Sequence, residues 1–176
     1  MGLVVHVPHA SVNIPKAYLQ GLKLNEKELA EEIIWATDVY CDELFDTGIG
    51  VMIVAEQSRL ACDVERFRDD HMEVGAHKGN GLLYTYTQRG APLRDTDVDL
   101  RNKALMEIYD PHHERLTAAV DKALKDNGIC LIIDGHSFCE DPFVGANLPD
   151  FCIGADEYHT TRDLIEISQA TLTFKK

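Results

Sequence analysis

Two apolar runs in this chain end in the same way. Cys130-Leu131-Ile132-Ile133 gives way to Asp134-Gly135-His136-Ser137, and Leu3-Val4-Val5-His6-Val7 gives way to Pro8-His9-Ala10-Ser11. A short run rich in β-branched residues reads as a strand buried on both faces. In an open α/β sheet, ligands bind just beyond the carboxyl ends of the strands. Two strands that each deliver a histidine at that edge suggest a shared metal site at His9 and His136. Taken alone, His9 also reads as a turn residue, because Pro8 cannot donate to a ladder and ends its strand. His6 lies inside the run and reads as a core or edge histidine.

Other residues could join this chemistry. Asp38 and Asp42 stand one helical turn apart, off the centre of an apolar stripe. They are a solvated acidic face, or Asp38, beside Ile34, Cys41 and Phe45, looks into a cleft. Asp63 and Arg66 either pair with each other on the surface, where a pair contributes little, or Arg66 offers its fork to a carboxylate. His112, His113 and Glu114 resemble a metal box. Adjacent helical residues diverge by about a hundred degrees, however, so at most one histidine faces a given site. Asp134 either orients His136 or caps the turn at the strand end. His71 and His77 fall in a long polar loop, residues 68–81, and read as solvated.

The elements that must position these groups can be read from local pattern. A strand is expected from about Gly2 to Val7. Asn25 with Glu28 makes a capping-box start, and Leu29, Ile33, Ala36, Tyr40 and Leu44 recur at helical spacing, facing the core, until Gly48 and Gly50 stop the helix. Val51–Ala55 is the next strand. Arg59–Phe67 alternates in part, as a strand would, and Gly81–Thr87 reads as extended. Thr96 with Asp99 opens a further helix. Asp110-Pro111 either restarts that helix as N-cap and N1 or kinks one long helix. Asn127-Gly128 ends it, and a last helix is expected from Thr160 to Leu172. The order predicts one α/β domain over residues 1–176, with a mixed, largely parallel sheet flanked by helices.

The 176 residues suffice for one sizeable core. A formal net charge of −13 argues against nucleic acid and anionic membrane as partners. No apolar run is long enough to span a bilayer, so the cytoplasm is the expected compartment. The five cysteines are odd in number and lack a C-x-x-C spacing, which argues against a disulfide framework. There is no G-x-S-x-G elbow to make Ser11 or Ser137 a nucleophile. Nothing in the sequence fixes the oligomeric state.

Val7-Pro8-His9-Ala10-Ser11, Asp63-Val64-Glu65-Arg66-Phe67, Tyr109-Asp110-Pro111-His112-His113 and Asp134-Gly135-His136-Ser137 occur in the order seen in N-formylglutamate amidohydrolases. The chain resembles that family over nearly its whole length, and the resemblance implies a zinc-exopeptidase (phosphorylase/hydrolase)-like fold. It also implies one Zn²⁺ ion and a small-molecule substrate, an N-acyl (N-formyl) amino acid or related amide. His9 and His136 match the two histidine ligands, and Asp38 matches a family acid on the first helix. Val12 stands where carboxypeptidases place a glutamate ligand. Arg66 matches the arginine of a family Asp-x-Asn-Arg motif, with Asp63 beside it, and grips a substrate carboxylate or polarises the carbonyl. His113 and Ser137 are expected to line the pocket. The family's late segments are expected to be missing, so the general base falls to Glu140 or Asp141. Glu65 replaces the family asparagine, and its charge beside Arg66 predicts weak deformylation of N-formylglutamate. The other reading is a degenerate member that binds a small ligand or partner through the same pocket.

Overall fold

A computed structural model describes residues 1–138, 149–156 and 158–173. The chain divides into two units, Met1–Phe138 and Cys139–Lys176. The first unit holds every described strand. β1 (Gly2–Val7) is central, with β2 (Val51–Val54) on one side and β3 (Cys130–Asp134) on the other, in the order β2-β1-β3. Every described pairing of these strands is parallel, so the expected mixed character of the sheet is not present among the described residues. The register sets His6 opposite Asp134 and Val7 opposite Val54. One residue beyond that register, the Gly135 amide donates to the His6 carbonyl at 2.8 Å.

Alternation along β1 sends its side chains to two faces. Val5 and Val7 pack with Cys41, Phe45 and Ile133 on one face. His6 points from the other face, toward α5 (Asp110–Asn127). β1 is the strand buried on both faces. β3 is only partly buried, and Ile132 is half exposed, which corrects the expectation for that run. Gly135 is required by close approach: a Cβ there would stand 2.8 Å from the Phe45 ring.

After the short α1 (Lys16–Leu19), Asn25 caps α2 (Glu26–Ala36) with the full capping box. The helix stops earlier than its apolar spacing predicts. Thr37 is the C-cap, and the Asp38 amide donates to the His9 carbonyl at 2.9 Å. Tyr40 then takes a left-handed conformation (φ 65°) before the short α3 (Cys41–Leu44). Tyr40 and Leu44 are therefore exposed instead of facing the core.

Residues 59–67 form turns, not a strand, because their polar atoms are spent on side-chain partners. Gly81–Thr87 is also irregular, with one antiparallel bridge between Tyr86 and Pro92. The long loop contains a 3₁₀ turn, Val74–Lys78, capped by Glu73. Asp97, not Thr96, caps α4 (Val98–Ala104). Pro111 neither restarts the helix nor breaks it sharply. A π-helical stretch, Leu105–Tyr109, joins α4 directly to α5. Its wider turn suits a proline that lacks an N–H and crowds the preceding turn. Gly128, at φ 72°, ends α5 by returning its amide to the Leu124 carbonyl.

The core of this unit lies beside the sheet. Tyr18, Cys62, Leu82, Ala104 and Leu105 form one cluster; Leu60, Tyr84, Leu93 and Ala36 form another. Both anchor the segment around Asp63. In the second unit, α6 (Arg162–Thr173) forms close to its expected span. Among the described residues no helix is long and apolar enough to cross a membrane.

Candidate active site

His9 is fully buried just past the end of β1, and His136 lies just past the end of β3. Parallel pairing of these strands brings the two rings together, with Nδ1 atoms 3.3 Å apart and centroids 5.1 Å apart. Asp38 arrives on the chain leaving α2. Its Oδ2 lies 3.0 Å from His136 Nδ1 and 3.7 Å from His9 Nδ1. The backbone amide of Ser137 also reaches this oxygen, at 3.3 Å. Three potential donors, His9 Nδ1, His136 Nδ1 and Asp38 Oδ2, thus converge on one point.

The opposite nitrogens are held by other carboxylates. Asp63, fully buried, accepts the His9 Nε2 proton at 2.8 Å. Glu65 Oε1 stands 3.1 Å from His136 Nε2, and its Oε2 stands 3.5 Å from His9 Nε2. An Nε2–H donated to a carboxylate leaves the Nδ1 lone pair free, which is the arrangement that prepares histidine for a metal. His9, Glu65 and His136 form a second trio whose ligand atoms lie within 4.8 Å of one another. The Asp38 trio is tighter, and it does not compete with Asp63 for His9 Nε2.

Asp63 is the hub of the surrounding framework. Tyr84 Oη donates to its Oδ2 at 2.7 Å, and Arg66 Nε lies 3.3 Å from the same atom. The rest of the Arg66 guanidinium is also engaged, by Tyr84 Oη at 3.2 Å and Glu73 Oε1 at 3.6 Å. Arg59 comes nearer to the histidines. Its guanidinium touches His9 Nδ1, with Asp63 Oδ2 at 3.6 Å and Glu65 Oε2 at 4.0 Å.

The charges respond to this crowding. Burial alone would raise the Asp38 and Asp63 carboxyls, but hydrogen bonds from the histidines and the nearby Arg59 hold both well below the usual carboxylate range. Glu65 is likewise lowered: its bond to His136 outweighs its burial. His136 is pushed up to about 12 by Asp134, Asp38 and Glu65 together. His136 and Arg59 already supply positive charge among these carboxylates.

The remaining predicted residues sit apart from this centre or at its margin. His113 Nε2 bonds the Val64 carbonyl at 2.8 Å and stacks on Tyr109, supporting the Asp63 segment from behind. Ser137 contributes its backbone amide, and its side chain bonds Cys41. Glu140 and Asp141 lie outside the described residues. Two participants escape a reading of the sequence. Arg59 is signalled there only by its one-turn spacing before Asp63. Glu65 reads there as a repulsive substitution, and only the fold brings it against both histidines.

A second histidine cluster lies behind the first. His6 Nδ1 meets Asp134 Oδ1 at 2.8 Å, and His6 Nε2 meets His112 Nε2 at 2.8 Å. Asp134 Oδ1 is also 3.7 Å from His136 Nε2, so the carboxylate stands between the clusters. A cavity of about 460 Å³, lined in part by Val64, Ile108, Pro111 and His112, shares no side chain with the His9–His136 cage.

A family model described as N-formylglutamate amidohydrolase matches residues 1–174. Among solved structures, an N-formylglutamate amidohydrolase from Ralstonia eutropha superposes with a TM-score of 0.68 at 21% identity, over 78% of this chain and 54% of that one. A gene product from Agrobacterium tumefaciens superposes with a TM-score of 0.59 at 19% identity, over 77% of this chain and 52% of that one. The chain therefore spans about half the length of the structures it matches. The comparison with curated proteins finds no match.

Proposed function

Since the chain belongs to the N-formylglutamate amidohydrolase family, we propose that it is a metal-dependent hydrolase of a small N-acyl amide. The observation that carries this reading is the convergence of His9 Nδ1, His136 Nδ1 and Asp38 Oδ2 within 3.7 Å of one another. Two imidazoles and a carboxylate suit a catalytic zinc ion that keeps a position open. The donor set fits a metal that displaces what now sits there: both Nε2 atoms face carboxylates, and binding requires the Arg59 guanidinium to leave His9 Nδ1 and His136 to give up its Nδ1 proton. Bound there, zinc supplies Lewis-acid activation of water and of an amide carbonyl.

The chain's own groups then have separate tasks. Asp63 fixes the tautomer and orientation of His9, and Glu65 with Asp134 does so for His136. Arg59 is the guanidinium nearest the centre and is suited to stabilise the carbonyl oxygen as negative charge develops on it. Arg66, tied to Asp63, Tyr84 and Glu73, holds the framework on which that chemistry rests. Glu65, one-third exposed and facing both Nε2 atoms, is suited to exchange a proton with the histidine pair.

One observation favours a second reading. The Arg59 guanidinium already supplies positive charge at His9 Nδ1, as a metal-free binding module would require. Metal content separates the two. We expect one zinc per chain in the purified protein and chelator-sensitive release of formate from an N-formyl amide. A metal-free protein that takes up no zinc on titration overturns the proposal in favour of the binding module.

A further inference from the structure

The cavity beside α5 is separate from the His9–His136 cage and has the makings of a second binding site. Its volume of about 460 Å³ falls among those of small-molecule sites, ~300–1,000 Å³. Its floor gathers residues from three segments: Ala55 just past β2, Val64 beside Asp63, and Ile108 and His112 on the helical run. All four are buried, and three of them offer only apolar surface. His112 is the exception. It is 2% exposed, and its Nε2 is taken up by His6 at 2.8 Å. Its Nδ1 is buried and has no partner among the described residues, so it is the polar atom that this ring offers to the cavity. Burial keeps the ring neutral at ordinary pH. In the tautomer that serves ionised Asp134 through neutral His6, His112 Nε2 donates and Nδ1 accepts. A buried acceptor calls for a donor.

The charged groups stand at the exposed rim. Arg115 is paired with Glu56 at 2.8 Å, so an anion meets Glu107 and Glu114 with the one guanidinium of the lining already engaged. A cation brings its charge onto an apolar floor and a neutral ring, where losing its water is costly. We propose that this cavity binds a small neutral molecule whose hydroxyl or amide N–H donates to His112 Nδ1 while its apolar body packs on Ala55, Val64 and Ile108. The site stands independently of the hydrolase reading and needs no metal. It is nonetheless linked to the cage. The bond fixes His112 as donor to His6 and His6 as donor to Asp134, which lies 3.7 Å from His136 Nε2.

The test titrates the full metal-free chain with isobutyramide, methyl isobutyrate, isobutyrate and isobutylammonium. These share a branched apolar body and differ at the polar end. We expect isobutyramide to bind saturably, with a Kd on the order of 1 mM for so small a molecule. It should shift the ¹⁵N resonance of His112 Nδ1, which binding elsewhere on the surface would not do. The ester lacks a donor and should bind about tenfold more weakly, as should both charged probes. Ala118→Phe places a ring in the cavity from an exposed position of α5, leaves the buried floor intact and should abolish binding. An ester or charged probe that binds as tightly as the amide overturns the proposal. So does binding that survives Ala118→Phe. If isobutyramide shows no saturable shift, water alone serves His112 Nδ1 and the proposal fails, whatever the outcome for zinc and hydrolysis.

Discussion

Two histidine clusters start three residues apart, from His6 on β1 and from His9 just past its end, and they are built on opposite principles. Around His9 and His136, carboxylates close in from several sides: Asp38 at the Nδ1 edge, Asp63 and Glu65 at the Nε2 edge. Around His6 and His112, the rings are joined nitrogen to nitrogen in a line that begins at Asp134. An ionised carboxylate only accepts, so His6 must donate through Nδ1. In the neutral tautomer its Nε2 is an acceptor and receives the proton of His112 Nε2. The line ends at His112 Nδ1, a buried acceptor with no partner among the described residues. The first cluster pulls His136 up to about 12 through Asp134, Asp38 and Glu65. In the second, burial and the neighbouring His6 push His112 down to about 3. One cluster demands a cation and the other excludes one. Converging acceptors make a candidate metal cage, whereas a linear donor chain makes a support for Asp134.

The widest separation between them is expected in metal binding. His9→Ala removes a donor from the cage and should abolish stoichiometric zinc uptake. His6→Ala leaves every donor in place. It should keep one zinc per chain and weaken affinity by about 10–100-fold, as the loss of an orienting partner does. Metal analysis and competition with a chromophoric chelator measure both. Equal loss of zinc in the two variants would break the distinction.

Stability should separate the clusters next. Asp63 is fully buried and carries His9, Tyr84, Arg59 and Arg66 at once. Asp63→Asn leaves two guanidiniums without their shared counter-charge. Breaking a buried pair from one side costs about 3–5 kcal/mol, and urea unfolding of the metal-free protein should show a loss of about this size. Arg66 is nearly a third exposed and is screened by solvent, which places the expectation at ~3 kcal/mol. A loss under ~1 kcal/mol would mean that Asp63 is not the hub of this region.

How far the sequence announces this arrangement depends on the kind of signal. Strand ends, the Asn25 capping box and the Gly128 stop are local, and each lies where its pattern places it. Pairing of His9 with His136 comes from one topological rule about strand ends, since parallel neighbours put their carboxyl termini side by side. The early end of α2 is not local. Apolar spacing continues to Leu44, but the bond from the Asp38 amide to the His9 carbonyl and the left-handed Tyr40 take the chain off that path. Residues 59–67 mislead for a related reason. Their alternation imitates a strand, while Asp63, Glu65, Arg59 and Arg66 satisfy one another and the histidines instead of a ladder. The His6–His112 contact joins residues 106 positions apart and has no sequence signature at all.

The finest difference between the clusters is the sign of their response to acid, and His112 gives it in isolation. Its ordinary pKa of about 6.5 applies to the unfolded chain, and burial first, then His6, His113 and Arg115, bring the folded value down to about 3. Between these two values the unfolded state binds a proton that the folded state refuses. Stability from this group is therefore complete above about pH 6.5 and falls as the pH drops toward about 3, with a limiting slope of ~1.4 kcal/mol per pH unit. His112→Gln keeps a donor for His6 Nε2 and has nothing to titrate. At pH 7.5 the variant should unfold within about 1 kcal/mol of the wild type, the scale of a single neutral hydrogen bond. Between pH 6.5 and pH 4.5 its stability should decline less steeply than the wild type's, because the carboxylates are the same in both proteins and only His112 is removed. Urea titrations of the metal-free proteins at half-unit pH intervals measure this directly. Parallel curves for the two proteins would show that His112 gains its proton as readily folded as unfolded, and the contrast between a cation-seeking and a cation-excluding cluster would then fail at its second member.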